Sequence, residues 1–148
     1  MSQDLKAIQH YCAYQERCHS EVRNKLLELG FRGGELEEAI ASLIADNFLN
    51  EERYAQSYCS GKFRIKQWGK RKIAQALKLK RVSDYCIRKG LQAIDETEYY
   101  HILSLLADKK WEELRNEKME WIRKQKVQRY LLQKGYEPEL ISEVLEAH

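Results

Sequence analysis

Residues 71–82 read RKIAQALKLKRV, and two other stretches lie over them without a gap: SEVRNKLLELGF at 20–31 and QKVQRYLLQKGY at 125–136. Val22, Ile73 and Val127 share one position. Leu26, Leu77 and Leu131 share the position four residues on, and Phe31, Val82 and Tyr136 close the stretch. The i, i+4 spacing sets the paired apolar residues on one face of a helix. Just before the close stand Gly30 and Gly135, with Arg81 in the middle copy. Glycine takes up the left-handed conformation that ends a helix at little cost. The match then continues through Leu36, Ile87 and Ile141 to Ile40, Leu91 and Leu145, at constant offsets of 51 and 54 residues. Each copy reads as a helix, a stop, a short turn and a second helix.

A further helical segment precedes each pair. Tyr54, Ala55, Tyr58 and Cys59 form a stripe continued by Lys62 and Phe63, with Asn50 placed to cap it. Leu5, Ile8 and Cys12 serve in the first copy, and Glu96 to Leu106 in the last. Pro138 suits the first turn of the final helix, where its missing N–H is not needed. Seven glycines and one proline in 148 residues leave too few turn residues for an all-β chain. The expected fold is all-α: tandem three-helix, helix-turn-helix-like units at 1–49, 50–94 and 95–148, forming an elongated, curved molecule. Units this small need neighbours to bury enough apolar surface. The expected core is Val22, Leu26, Phe31, Tyr54, Ala55, Tyr58, Ile73, Leu77, Val127, Leu131 and Tyr136.

Catalytic patterns are missing. There is no phosphate-binding G-x-x-x-x-G-K-[ST], no G-x-G-x-x-G and no H-E-x-x-H. Gly33-Gly34 follows no strand. Cys12, Cys18, Cys59 and Cys86 form no C-x2-C pair, and His10, His19, His101 and His148 do not space with them as zinc ligands do. Cys59 and Cys86 read as buried thiols. Asp46, Glu51 and Glu52 sit near a helix start, where acids are expected without a metal. Ser20 and Ser83 read as caps or turn residues; arginine rather than glutamate stands three residues after Ser20, so no capping box forms there. No metal and no cofactor is expected. The N-terminal residues lack an apolar h-region and no run approaches membrane-spanning length, so a reducing cytoplasm is the expected setting.

The remaining signal is charge. The formal net charge is +3, yet Gly61 to Arg81 carries nine Lys/Arg and no acid, while Glu35 to Glu52 carries six acids and no Lys/Arg. The nine are Lys62, Arg64, Lys66, Lys70, Arg71, Lys72, Lys78, Lys80 and Arg81. Intrahelical pairing with acids is unavailable inside the run. Cations crowded at a helix start call for an anion, which a phosphate backbone or an acidic protein groove would supply. A second basic patch is Arg123, Lys124, Lys126 and Arg129. The segment after the middle turn, Ser83 to Gly90, offers only Arg88 and Lys89 as long basic donors, fewer than a base-reading helix normally presents.

Asn50-Glu51-Glu52-Arg53-Tyr54-Ala55, following Leu43 and Phe48-Leu49, resembles the Leu-(Asp/Asn)-(Asp/Glu)-Glu-Arg-Phe-Ala signature of the RecX regulatory proteins. Trp68-Gly69-Lys70-Arg71-Lys72-Ile73 resembles that family's glycine-led entry to its next helix. Arg17-Cys18-His19-Ser20-Glu21 is similar to its Arg-x-x-Ser-x-x-Glu start, with the acid here directly after the serine. Lys134-Gly135-Tyr136 and Ile141 resemble its last unit. The likeness runs from about residue 10 to 146. Leu79-Lys80-Arg81-Val82 departs from it, since the family commonly has Lys-Gly or Arg-Gly at this turn.

The resemblance implies a fold of three tandem three-helix units and a non-enzymatic role. Proteins of this family bind the filament that the RecA recombinase forms on single-stranded DNA, restrain its strand exchange, ATP hydrolysis and co-protease activity, and in some cases bind DNA themselves. The implied partners are the RecA filament and single-stranded DNA, with duplex DNA as a further candidate, and the implied state is a monomer away from membranes. Two other readings stand beside it: a helix-turn-helix protein binding DNA directly, and a helical adaptor whose basic run meets an acidic protein.

Overall fold

The computed structural model describes residues 2–148, with side chains from Asp4 onward; Met1, the first residue of the expected 1–49 unit, lies outside them. Among the described residues there are nine helices and no strand. They are α1 (Ser2–Tyr14), α2 (His19–Glu28), α3 (Gly33–Ala45), α4 (Glu51–Lys66), α5 (Lys70–Leu79), α6 (Asp84–Gln92), α7 (Glu96–Glu113), α8 (Glu120–Lys134) and α9 (Pro138–Glu146).

Local chemistry sets the boundaries. Asn50 accepts the Arg53 N–H at 3.0 Å and starts α4, Ser83 accepts the Cys86 N–H at 3.2 Å and starts α6, and Asp95 accepts the Glu98 N–H at 2.8 Å and starts α7. The N-cap of α2 falls two residues earlier than Ser20. It is Cys18, and the Glu21 carboxylate accepts the Cys18 N–H at 3.0 Å. The acid that lies out of place relative to Ser20 is in place relative to Cys18.

The repeat in the sequence is a repeat of one helix ending. After α2, the Phe31 N–H reaches back to the Leu26 carbonyl and the Gly30 N–H to that of Leu27. After α5, Val82 reaches Leu77 and Arg81 reaches Lys78. After α8, Tyr136 reaches Leu131 and Gly135 reaches Leu132. Each is a Schellman turn with its central residue left-handed: Gly30 at φ 96°, Arg81 at φ 62° and Gly135 at φ 99°. The residue that follows, Phe31, Val82 or Tyr136, is buried in each case.

Packing divides the chain into two compact units: Met1–Tyr58 with Ala76–Leu91, and Cys59–Gln75 with Gln92–His148. In the first, α1 packs on α2 and α2 on α3, around Ile8, Val22, Leu26, Phe31, Ile40 and Leu43. Burying each such side chain contributes about 1.5–3 kcal/mol. In the second, α7, α8 and α9 pack on one another, and the rings of Phe63, Tyr99 and Tyr136 follow in a row with centroids 5.6 and 5.1 Å apart.

The signature stretch at 50–55 is structural. The Glu51 carboxylate accepts the His19 N–H at 3.2 Å. The Arg53 guanidinium pairs with Glu16 and donates to the Asn47 side chain at 3.1 Å and to its carbonyl at 3.2 Å, fixing the left-handed turn (φ 63°) after α3. Tyr54 and Ala55 are buried. The expected core positions are buried with one exception: Tyr58 is half-exposed, its ring beside that of Tyr54 at 5.8 Å. Cys86 is likewise half-exposed rather than buried, since Ile87 and Gly90 take the inward face of α6.

Candidate nucleic-acid interface

The nine cations of the run divide between the two units, six at 62–72 in the second and three at 78–81 in the first. In the second unit they collect around the start of α5. Gly69 lies so close to the turn after α8 that a Cβ there would meet the Gly135 carbonyl carbon at 2.3 Å, and a Cβ on Gly135 would meet that of Lys72 at 2.3 Å. Both positions therefore require glycine. The approach lets the first N–H groups of α5 find partners. Gly69 donates to the Lys134 carbonyl at 2.7 Å and Arg71 to the Gly135 carbonyl at 3.0 Å. The Lys70 N–H donates to the Tyr99 hydroxyl at 2.9 Å, which in turn donates to the Glu137 carboxylate. Burial, then the Glu137 hydrogen bond, pushes the Tyr99 phenol well above its ordinary pKa.

This corrects one premise of the sequence reading. The start of α5 needs no external anion, because protein oxygens already satisfy it. Two of the nine cations are neutralised by acids distant in sequence: Lys70 pairs with Glu96, and Lys80 with Glu21 at 3.6 Å. Lys62 and Lys72 lie over the Trp68 indole, their ammonium nitrogens 4.9 and 4.6 Å from its centroid. Arg64, Lys66, Arg71, Lys78 and Arg81 are exposed.

Arg71 and Lys72 line a cleft of about 340 Å³ with Gln75, Leu132, Gln133 and Gly135. Lys134 stands beside it, its ammonium donating to the Lys66 carbonyl at 3.0 Å. Burial, and then Lys72, lower the Lys134 pKa from its ordinary value. A bound anion would oppose both effects. Lys134 is absent from the sequence-derived set because its neighbours Lys66 and Lys72 are more than sixty residues away. Its only signal was the Lys134-Gly135-Tyr136 motif.

The second basic patch is largely compensated. Arg123 lies over the Trp111 ring at 3.8 Å and donates through Nε to the Trp111 carbonyl at 3.0 Å. Lys124 pairs with Glu120 at 3.8 Å and Lys126 with Glu117 at 3.0 Å. Arg129 is exposed.

Three of the four cysteines are buried thiols of low reactivity. Burial pushes the Cys59 thiol up to about 12 and raises Cys12 and Cys18, so these stay protonated and inert. Among the described residues no group of His, Cys, Asp and Glu is arranged to hold a metal ion, and no helix is long and apolar enough to cross a membrane.

The family model for the second three-helix domain of RecX matches residues 50–91, and that for the third matches 96–145. A "Regulatory protein RecX" of Haemophilus ducreyi is 33% identical over 127 residues, covering 85% of this chain and 80% of its own. The chain belongs to the RecX family. A Clostridium perfringens RecX is 36% identical over 121 residues, covering 81% of this chain; the match spans 56% of that longer protein. The crystal structure of RecX from Lactobacillus salivarius superposes with a TM-score of 0.91 at 24% identity, covering 99% of this chain and 94% of that one. RecX thus shares with this chain an all-α fold of repeated three-helix units.

Proposed function

We propose that the chain is a non-enzymatic regulator that binds the RecA filament on single-stranded DNA and restrains its strand exchange, ATP hydrolysis and co-protease activity. Membership of the RecX family supports this reading, together with the name "regulatory protein" carried by its relatives. The observation that carries it is the cleft at the start of α5 lined by Arg71 and Lys72, with Lys134 beside it. Phosphates, or acidic side chains of the filament, would find three cations there, and an anion would relieve the repulsion between Lys72 and Lys134. Lys62, Arg64 and Lys66 widen the same positive surface within that unit. The chain acts as a monomer in the cytoplasm, with no metal or cofactor.

Titrating the purified chain into RecA on single-stranded DNA tests this. ATPase activity and strand exchange should both fall, and the Arg71→Ala/Lys72→Ala double variant should need roughly tenfold or more protein for the same effect, as expected for losing about 1.4 kcal/mol or more of binding. No binding and no change in either activity would end the reading.

A further inference from the structure

The first unit carries a basic surface of its own, distinct from the residues that form the cleft at the start of α5. In α6, Ile87 and Gly90 are buried, and Tyr85, Arg88 and Lys89 lie exposed at i, i+3 and i+4 on the outer face. Tyr85 is 51% exposed. The Arg88 guanidinium and Lys89 ammonium stand 5.9 and 5.7 Å from its centroid. Lys78 and Arg81, also exposed, precede α6 in the same unit. Asp84 is the sole acid between residues 76 and 91, against five Lys/Arg.

The conformation of Arg81 adds an independent observation. Its φ of 62° is the value that glycine supplies after α2 and α8. A non-glycine residue held there costs about 1–2 kcal/mol, and such strain persists only where the surroundings over-determine it. They do so here. The Ser20 hydroxyl donates to the Lys80 carbonyl at 2.7 Å, and that carbonyl belongs to the peptide joining Lys80 to Arg81. Glu21 holds the Lys80 ammonium. The fold thus presents an exposed charged side chain where a bare glycine would be more stable, four residues before the exposed Tyr85.

We propose that the outer face of α6, Tyr85 with Arg88 and Lys89, joined by Lys78 and Arg81, binds single-stranded nucleic acid directly. An unstacked base lies on the Tyr85 ring, and the phosphates beside it pair with the cations. A duplex keeps its base faces hidden and leaves the ring without a partner. An acidic peptide satisfies the cations and leaves it equally unused. This surface needs no recombinase and does not involve the cleft at the start of α5.

The test is fluorescence anisotropy of a labelled oligo-dT with the full chain alone, over a series of salt concentrations. Tyr85→Ala should weaken binding roughly fivefold to a hundredfold, the range expected for loss of one base–aromatic stack, with the salt dependence unchanged. Tyr85→Phe should bind as the parent does. Arg88→Ala/Lys89→Ala should reduce the slope of log affinity against log salt by about 1.4, two phosphate contacts at roughly 0.7 each. The Tyr85→Ala factor should persist in the Arg71→Ala/Lys72→Ala background. These side chains are exposed, and unchanged thermal melting of each variant confirms that the fold is intact. Equal binding by Tyr85→Ala and parent overturns the proposal, as does equal binding of a duplex of the same length or equally effective competition by poly-glutamate. RecA is absent from the assay, so failure of the filament reading leaves this result interpretable.

Discussion

The turns that end α5 and α8 make the same two backbone hydrogen bonds and adopt the same left-handed conformation, yet one carries arginine and the other glycine. Space accounts for the difference. At Gly135 a Cβ would collide with Lys72 and its backbone, so glycine is demanded twice, by conformation and by crowding. At Gly30, after α2, nothing lies within 4 Å of the position a Cβ would take, and conformation alone favours glycine. Arg81 shows that this conformational demand is negotiable. A Schellman turn in this protein is therefore either a contact point between backbones or a platform for a side chain, and the hydrogen bonds alone do not say which.

The sharpest way to break the comparison is to put the same methyl group at both glycine turns. Gly135→Ala should lose about 2–5 kcal/mol, combining left-handed strain with overpacking. Gly30→Ala should lose only about 1–2 kcal/mol, from the strain alone. Denaturant unfolding measures both, and equal losses would mean that the contact of Gly135 with Lys72 contributes nothing.

Tyr99→Phe probes what the close approach secures. It strips a partner from the Lys70 N–H and from the Glu137 carboxylate, and should cost about 1–3 kcal/mol. The effect has a pH signature. Because the folded-state pKa of Tyr99 is raised above the ordinary 10.0, its stabilising contribution is complete below pH about 10 and is lost as pH rises through and beyond that value. The gap between parent and variant should narrow in alkaline denaturation series. A gap independent of pH would detach the phenol from the network.

Arg81→Gly should move in the opposite direction and by the least. Removing left-handed strain should stabilise the first unit by about 1 kcal/mol, raising the melting temperature. A destabilised variant would show that the arginine side chain makes a favourable contact that offsets the strain.

Much of the fold was legible. Periodic Val/Ile and Leu positions, the recurring stop and the constant offsets state the helix count and the buried faces, because these depend on residues a few positions apart. The charge pattern was less legible. Lys70 and Lys80 look unpaired in a stretch with no acid, yet Glu96 and Glu21 reach them in space. Lys134 comes to stand beside the cleft from the far end of the chain. Tyr58 and Cys86 fit a helical stripe but fall at its margin, where the stripe turns toward solvent. Such outcomes depend on long-range packing, which periodicity does not encode. The cap of α2 is hidden for a local reason: cysteine is an unusual N-cap, and Ser20 two residues on is the residue type that pattern favours.

The middle copy supplies acceptors to both of its neighbours. Within one unit the Lys80 carbonyl receives the Ser20 hydroxyl, and within the other the Gln67 carbonyl receives the Tyr136 hydroxyl at 2.9 Å. Each outer copy thus depends on the middle one for an acceptor. A chain without the middle copy would leave a serine and a buried tyrosine each without its acceptor. Deleting a whole copy therefore exposes polar groups in its neighbours, which a substitution within a copy does not.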